Sequence, residues 1–418
     1  MPICRIRSIS TVDARFPLAP GEGTDSVHTR SEYCMAVTVL ATDCRTKGTG
    51  IALTLGDGNR IVCDAIELLA KPITGMDIET LMSNFGAMSR RLADDPSLRW
   101  LGPHKGVVHL ALASLTNACF DLWAKSRGVP LWKLLLDLSP TELVRILDLS
   151  YLEDVLTEDD AVAMLEQHLP TRAARQPILK SGYPGYDTSV GWLAYDDARV
   201  REFTLRSIDQ GFRAFKLKVG SAEESRDLRR AGMLREAAGD AAMVMFDANQ
   251  RWNLPDAKRM CAALAAFSPL WIEEPTHPDD AHAHAQLAHH IAPVRLAAGE
   301  HIANRVLFKN FFYYGSIHFV QADCTRLAGV SEFLTVSVLA KKFRLPIVPH
   351  VGDMGQIHQH LLLFNHIALD HEVNFLEHIP HLKDHFCVPA KVSGGVYQTP
   401  EEPGASTDMI LSGNEVGK

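Results

Sequence analysis

Residues 212–219 read Phe-Arg-Ala-Phe-Lys-Leu-Lys-Val, and residues 243–249 read Met-Val-Met-Phe-Asp-Ala-Asn. Each stretch is a short apolar run that ends in ionisable side chains, which is typical of a buried strand in a parallel sheet. Helical stretches separate these runs from further runs of the same kind, at residues 270–275, 295–300, 317–323, 345–350 and 373–378. The chain from residue 212 onward therefore predicts strands that alternate with helices.

The ionisable residues near the ends of these runs recur at a nearly constant spacing of 23 to 29 residues, at Lys218, Asp247, Glu273, Glu300, Asp323, His350 and Glu377. That spacing is the length of one strand-plus-helix unit. The repeat predicts an α/β fold of the (β/α) TIM-barrel type. In such barrels the functional groups stand at the C-terminal ends of the strands, which is where these residues fall.

The first part of the chain has a different pattern. Residues 6–9, 33–40 and 50–55 form β-rich runs, and helical patterns follow at residues 61–69, 80–92 and 106–127. This order predicts an antiparallel sheet with helices, an α+β unit. Residues 137–195 contain four prolines and lead from this unit into the first elements of the barrel.

Composition limits the classes of function. The chain has 418 residues, 46% of them apolar, and a net charge of −8 with no basic block, which argues against a nucleic-acid partner. Eight cysteines without a CxxC pair indicate neither a zinc ribbon nor a disulfide framework, and a reducing compartment fits them best. We find no signal peptide and no apolar stretch that approaches a membrane span, so the sequence predicts a cytoplasmic protein.

Three of the strand-end residues are carboxylates in consecutive units: Asp247, Glu273 and Glu300. Three like charges that converge on one point stay ionised together only around a cation, and oxygen ligands without a thiolate favour Mg²⁺. Any one of them could instead cap the helix that follows its strand. Equal spacing in three consecutive units favours the metal site.

Two further pairs suggest acid–base chemistry. Lys216 and Lys218 lie two residues apart on one strand and so share a face, where each disfavours the protonation of the other and helps to supply a neutral base. The alternative is an edge strand with solvated lysines. Asp323 and His350 lie one unit apart, and an Asp beside a His fixes its tautomer and keeps it protonated, which makes the pair a candidate acid. A lone His would more often be structural.

One helix carries a cluster of histidines, but their varied spacing favours a solvated outer helix over a metal site. The cluster comprises His277, His282, His284, His289 and His290. No phosphate-binding glycine motif appears in the sequence, which argues against nucleotide chemistry.

Taken together, several motifs resemble the mandelate racemase-like branch of the enolase superfamily, whose members use a Lys or His base with Mg²⁺. They are Lys-Leu-Lys at 216–218, Asp-Ala-Asn-Gln-Arg-Trp at 247–252, Trp-Ile-Glu-Glu-Pro at 271–275, Gly-Glu at 299–300, and the Asp323 and His350 pair. Residues 13–17, 23–25, 102–106, 188–192 and 326–330 are similar to the L-fuconate and L-galactonate dehydratases of that branch. The resemblance extends over nearly the whole chain.

This resemblance implies a capping domain at residues 1–140, completed by residues 386–418, over a barrel at residues 141–385. It implies Mg²⁺ bound by Asp247, Glu273 and Glu300, and Lys218 as the base. It also implies that Lys216 neutralises the substrate carboxylate, that His350 with Asp323 is the acid, and that Glu377 hydrogen-bonds the substrate. Further candidate substrate contacts are Asn249, Thr24, Asp25, Ser189 and Asp353.

Residues 349–355, Pro-His-Val-Gly-Asp-Met-Gly, depart from the fuconate dehydratase pattern and look more like the L-galactonate enzymes. The implied activity is loss of water from aldonates of the L-galactonate or L-fuconate type, giving 2-keto-3-deoxy acids. The expected partner is a small acid sugar, and the sequence leaves a homo-oligomer open. A racemase or epimerase of the same architecture and a non-catalytic metal-binding barrel are the alternatives.

Overall fold

The computed structural model describes residues 3–102, 104–351 and 355–411. Its N-terminal part is a three-stranded antiparallel sheet in the order β1-β2-β3, with helices packed against it. The strands are β1 (Ile6–Pro17), β2 (Glu32–Thr42) and β3 (Lys47–Thr54), and the helices are α1 (Gly58–Leu69), α2 (Ile78–Met82), α3 (Phe85–Ala93) and α4 (Gly106–Ser126). The predicted α+β unit is confirmed.

Helix α4 is the centre of this unit. It lies so close to β3 that a Cβ atom on Gly50 would stand 2.0 Å from the carbonyl oxygen of Ser114, which only glycine avoids. By length and hydropathy α4 could cross a membrane, so the prediction that no stretch approaches a span was wrong. However, 89% of its apolar window is buried inside the protein, as in the core helix of a soluble fold.

The helix predicted at residues 80–92 is broken into α2 and α3. Ser83 ends the first helix, and Asn84, with φ −149° and ψ 52°, begins the second. Ser and Asn favour helix ends because their side chains compete for backbone hydrogen bonds. The apolar periodicity continues across the break, which is why the sequence pattern did not reveal it.

Five short helices lead from α4 to the barrel: α5 (Leu131–Asp137), α6 (Pro140–Arg145), α7 (Glu158–His168), α8 (Arg172–Arg175) and α9 (Ile178–Ser181). Strands and helices then alternate as β4 (Tyr183–Asp187), α10 (Asp197–Asp209), β5 (Ala214–Lys218), α11 (Glu224–Ala238), β6 (Met243–Asp247), α12 (Leu254–Leu264), β7 (Ile272–Glu273), α13 (Ala281–His290), β8 (Leu296–Ala298), α14 (Arg305–Tyr313), β9 (Phe319–Val320), α15 (Val330–Lys342), α16 (Ile357–Leu369) and β10 (Leu376–His378).

The barrel strands are parallel and pair in chain order from β4 to β9, while β10 pairs with the other edge of β4. A bridge between Val320 and Ile347 supplies the remaining strand position, between β9 and β10 in the chain. The interior is filled by side chains from successive strands, Tyr186, Ala214, Met245, Trp271, Ala297, Phe319 and Val348. The predicted TIM-type barrel is therefore confirmed, with its functional end above a packed core.

The C-terminal segment returns to both parts of the chain. A hairpin of β11 (Val392–Ser393) and β12 (Val396–Tyr397) adds to β4. Further on, Ala405 donates its backbone N–H to Asp121 of α4 at 2.7 Å, and Thr49 of β3 donates its hydroxyl to Asp408 at 2.5 Å. These contacts join the segment to the N-terminal unit. The domain boundaries at residues 140 and 386 stay predictions.

The cysteines include one disulfide, between Cys4 and Cys44. The sequence pattern did not reveal it because the two residues are 40 positions apart and become neighbours, with a Cα separation of 5.3 Å, only when β1 pairs with β2. The cytoplasmic location stays a prediction.

Helix α13, the histidine-rich helix, is an outer helix of the barrel. His277 lies before the helix, so the prediction that all five histidines share one helix was wrong for that residue. Four of the five histidines are exposed, and His284 is buried with its ring centroid 5.1 Å from that of Phe311. The prediction of a solvated helix is confirmed for its outer face, and His284 belongs to the packing.

A buried ion-pair network joins the N-terminal unit to the barrel. Arg305, at the start of α14, donates to Glu332 of α15 at 3.1 Å and to Asp148 at 2.7 Å. Its Nε donates to the backbone oxygen of Ser150 at 3.0 Å, and His109 of α4 lies 2.5 Å from the other Glu332 oxygen. Since all these groups are nearly excluded from water, each charge depends on its partners.

We expect Arg305→Leu to lower the free energy of unfolding by about 3–5 kcal/mol, because it leaves the Glu332 and Asp148 carboxylates under-compensated. Urea denaturation followed by circular dichroism measures the change. Lys309→Leu, on the same helix, breaks a pair with the exposed Asp154 and should cost less than about 1 kcal/mol. Equal losses of unfolding free energy for the two variants would contradict the conclusion that the buried carboxylates depend on Arg305.

Candidate active site

The three predicted ligands meet at one end of the barrel. Asp247 ends β6, Glu273 ends β7, and Glu300 follows β8. The strand register places Asp247 beside Glu273. One carboxylate oxygen of each residue lies within 4.8 Å of the others, and all three side chains are buried.

This cluster fits a hard divalent cation. Its donors are carboxylate oxygens, which suit Mg²⁺ better than zinc. Burial and the neighbouring Asp247 raise the pKa of Glu273 to about 8, so the nearby lysines do not fully compensate the cluster. Asn249 adds a buried side-chain oxygen that has no hydrogen-bond partner among the described residues and lines the same cavity. Asp247, Glu273 and Glu300 would therefore hold the ion.

The two lysines of β5 point inward at different depths. Lys216 is fully buried, with its Nζ 2.6 Å from Glu273 and 2.8 Å from Glu377. Lys218 lies two residues further along the strand, about 6.6 Å nearer the barrel mouth, and lines the cavity with its Nζ 2.5 Å from Asp247. The structure thus places Lys216 among the carboxylates below the cavity, and its predicted role toward the substrate carboxylate stays a prediction.

The acidic partners determine the charge of both lysines. Burial lowers the pKa of Lys218, but the Asp247 carboxylate outweighs it and the pKa lies above its ordinary value. Burial lowers the pKa of Lys216 as well, but the Glu273 and Glu377 carboxylates outweigh burial and raise that pKa well above the usual range. In this structure the carboxylate partners outweigh the mutual repulsion of the two lysines, and the predicted neutral amine stays a prediction.

The predicted acid pair is formed. His350 lies with Nδ1 2.8 Å from Asp323 and Nε2 3.0 Å from Glu300. Burial lowers the pKa of His350, but Glu300 and Asp323 overcome that effect and raise it to about 10. His350 is therefore an imidazolium at neutral pH and can deliver a proton.

Glu377 lines the cavity, but protein groups occupy both of its oxygens. Thr188 donates its hydroxyl to one oxygen at 2.6 Å, and the same oxygen lies 2.8 Å from Lys216. The backbone N–H of Val351 donates to the other oxygen at 2.8 Å. In this structure Glu377 supports the site; its predicted hydrogen bond to the substrate stays a prediction.

A second layer of polar residues was missed by sequence reasoning. Glu274 accepts from Gln250 and lies 3.0 Å from Nδ1 of His301, which is also 3.2 Å from Glu300. Glu274 and His301 each follow a predicted ligand directly, which is the sequence signal that could have revealed them. This layer holds Glu300 from the side away from His350.

Two more supporting residues come from elsewhere in the chain. His358, at the start of α16, lies with Nε2 3.0 Å from the second oxygen of Asp323. Gln321 donates to Glu273 at 2.6 Å. The sequence places His358 so close to His350 that it carries no independent signal there, and only the fold brings it to Asp323.

A cavity of about 50 Å³ lies above these groups. It is far smaller than the roughly 300–1,000 Å³ of ordinary ligand pockets, because a loop of the N-terminal unit covers it. Its polar and ionisable lining consists of Asp25, His28, Tyr33, Trp192, Lys218, Asn249, Glu300, Arg326, His350 and Glu377.

The covering loop presents a histidine that sequence reasoning did not name. Asp25 accepts backbone N–H groups from Val27 at 2.8 Å and His28 at 2.7 Å through one oxygen. Its other oxygen lies 2.9 Å from Nδ1 of His28. Ser26 donates to the backbone oxygen of Ala248 at 2.8 Å, which fastens the loop to the barrel. The loop thus holds His28 against the cavity.

The remaining predicted substrate contacts fall in different places. Asn249 and Asp25 line the cavity, whereas Thr24 does not; its hydroxyl donates to Gly21 and accepts from the backbone of Ala194, which ties the loop to the barrel.

Ser189 is not brought to this cavity either. It donates its hydroxyl to Asp187 at 2.7 Å and lines a different cavity. The predicted substrate contact at Asp353 lies outside the described residues.

Comparisons with known proteins agree with this geometry. Residues 199–411 match the family model for the enolase C-terminal domain-like fold. Human mitochondrial enolase superfamily member 1 is 40% identical over 97% of this chain and 94% of its own. Its crystal structure superposes with a TM-score of 0.95 over 98% of this chain and 95% of that one.

The chain belongs to the enolase superfamily. The L-galactonate dehydratase of Hypocrea jecorina is 39% identical over 95% of this chain and 90% of its own. The resemblance drawn from the motifs is confirmed, and the chain falls in the acid-sugar dehydratase group of the superfamily. Members of this superfamily use Mg²⁺.

We expect Asp247→Asn and Glu273→Gln each to weaken Mg²⁺ binding by at least about 100-fold, since even outer-layer partners of metal ligands are worth about 10–100-fold. Isothermal titration calorimetry measures the affinity. Asp256→Asn on α12 is the matched control and should bind like the parent protein. Unchanged affinity in both ligand variants would place the ion elsewhere.

Proposed function

We propose that this protein is a Mg²⁺-dependent hydro-lyase that dehydrates L-galactonate and L-fuconate to 2-keto-3-deoxy acids. The observation that carries the proposal is that Lys218, at the end of β5, and His350, just after the bridge at Ile347, line one cavity above three converging carboxylates. The similarity to an L-galactonate dehydratase supports the choice of substrate. The two acids differ only in the 6-hydroxyl, so one arrangement of reacting groups serves both.

The chemistry begins with a carbon acid. Loss of the C2 proton places a second negative charge on the substrate carboxylate, and Mg²⁺ at Asp247, Glu273 and Glu300 would stabilise that charge while satisfying Asp247. An ion held by Asp247 would compete with Lys218 for that carboxylate, and Lys218 lines the cavity, where it acts as the base at C2.

The leaving group needs an acid. The electron pair from the C2–H bond forms a double bond to C3, and the C3–O bond breaks. His350 gives its proton to the departing hydroxide, so that water leaves, and the resulting enol ketonises to the 2-keto acid. Asp323 holds the imidazole in place and stabilises its cationic form.

A racemase of the same architecture is the alternative function. With Lys218 as the base, a protonated His350 would return a proton to C2 on the other face instead of giving it to the leaving hydroxide. The product therefore distinguishes the two activities.

A panel of aldonates incubated with the enzyme and Mg²⁺ tests the function. We expect a 2-keto-3-deoxy acid, detected with semicarbazide, from L-galactonate and L-fuconate. Because the loop side of the cavity is polar, L-galactonate should be used at least as well, with a kcat/KM ratio of about 1–100. An inverted acid in place of a keto acid would show a racemase, and no turnover of any acid would reject the proposal.

A further inference from the structure

A second cavity, of about 730 Å³, adjoins the active site. His381 and Glu22 line the second cavity, and Trp192 lines the first. Trp192 donates its indole N–H to Nε2 of His381 at 2.9 Å, so this bond joins the linings of the two cavities.

The bond fixes the state of His381. An indole nitrogen is a donor only, so Nε2 of His381 must be unprotonated to accept from it. The ring proton of the neutral imidazole then lies on Nδ1, which faces Glu22 of the covering loop at 3.5 Å. A proton added at Nε2 would set two donors against each other and break the bond to Trp192.

Trp192 in turn forms the surroundings of Lys218. The Lys218 Nζ lies 5.7 Å from the centre of the indole ring, within the range of a cation–π contact. The backbone of Trp192 is held separately, since Arg230 donates to its carbonyl oxygen at 2.9 Å. The bond to His381 is therefore the polar contact that orients the side chain.

We propose that His381 is a positioning residue: with Nε2 unprotonated it holds the Trp192 indole against Lys218, and on protonation it releases the indole. The role of Lys218 in this inference rests on the proposed function. The bond itself and its dependence on pH do not.

The charged surroundings of His381 set the direction of the pH effect. Burial lowers the pKa of His381. The Glu22 and Asp187 carboxylates raise this pKa, whereas the Arg199 guanidinium lowers it further. The groups that face it come from the covering loop, β4, α10, β10 and the segment after β10: Glu22, Asp187, Arg199, Arg206, His378 and Lys383. The net pKa lies below that of an ordinary histidine, so the bond holds at neutral pH and is lost on acidification.

Nuclear magnetic resonance of the indole N–H groups tests the bond without turnover. The Trp192 signal, assigned by its loss in Trp192→Phe, should shift on acidification and in His381→Leu. In His381→Gln, whose amide oxygen can accept but does not titrate, the signal should stay in place as the pH falls. A Trp192 indole signal that does not shift in His381→Leu would overturn the proposal.

Kinetics test the consequence for Lys218. His381→Leu should slow exchange of the C2 proton about tenfold with KM changed less than about threefold, and His381→Gln should restore most of the rate. In a Trp192→Phe background His381→Leu should have no further effect, because His381 acts through the indole. Gln210→Leu, which lines the same second cavity, is the control and should leave the rate unchanged.

The outcomes separate the two proposals. An equal loss from His381→Leu in both backgrounds would overturn the positioning role. If no acid sugar is turned over at all, the proposed function fails, and the resonance experiment still decides whether His381 holds Trp192.

Discussion

His350→Asn is expected to reduce dehydration by about 10³–10⁴-fold while exchange of the C2 proton with solvent continues within about tenfold of the parent rate. The asparagine amide can still donate to Asp323, so the local structure is kept, but it has no proton to give to the leaving hydroxide. Lys218 comes from another strand, β5, and can still remove the C2 proton. The variant thus separates the two halves of the reaction.

Deuterium incorporation at C2 in D₂O, followed by proton resonance, measures the exchange, and keto-acid formation measures dehydration. His282→Asn, on the exposed face of α13, is the matched control and should alter neither rate. Loss of both activities in His350→Asn would mean that His350 also takes part in proton abstraction.

The pH profile should reflect the same residue. A histidine whose pKa is raised to about 10 keeps its proton through the neutral range, so dehydration should not fall as the pH rises past the ordinary value of about 6.5. The stabilisation gained from the His350 imidazolium is fully present below its unfolded pKa and is lost as the pH rises through the folded value.

The positions of the strand-end residues could be predicted because their regular spacing can be read directly from the sequence. One residue per unit, such as Asp247, Glu273 or Asp323, marks the end of a buried strand, and a parallel sheet brings all such ends to one edge. The strand holding His350 was also located, although it is reduced in the structure to the bridge at Ile347.

Depth and orientation could not be predicted in the same way. Period-two alternation puts Lys216 and Lys218 on one face, but it does not say that Lys216 lies among the carboxylates below the cavity while Lys218 lines it. Ser189 and Thr24 belong to motifs that lie near the site, yet their hydroxyls bond Asp187 and Gly21. Such outcomes depend on partners that are distant in the sequence.

Contacts between segments that are distant in the sequence were the hardest to predict. His358 reaches Asp323 from the next helix, and His28 reaches the cavity only because the loop before β2 folds over the barrel. The Cys4–Cys44 disulfide likewise depends on strand pairing. No local pattern encodes these distances.

Replacing the two lysines separately should give two different effects, a loss of activity for Lys218 and a loss of stability for Lys216. Lys218→Met is expected to reduce both C2 exchange and dehydration by about 10³–10⁴-fold, because a methionine thioether cannot take the C2 proton, while the fold is kept. Lys216→Met should instead lower the free energy of unfolding by about 3–5 kcal/mol, since it leaves Glu273 and Glu377 buried without their cation.

Thermal unfolding and Mg²⁺ titration distinguish the two variants. Lys218→Met should bind Mg²⁺ at least as tightly as the parent protein, because the ammonium no longer competes for Asp247. Lys216→Met should unfold at a lower temperature, and added Mg²⁺ should recover part of the difference by compensating Glu273. If Lys218→Met kept C2 exchange, another group would be the base; if Lys216→Met were as stable as the parent protein, the carboxylates beneath the cavity would have to be protonated when the ammonium is absent.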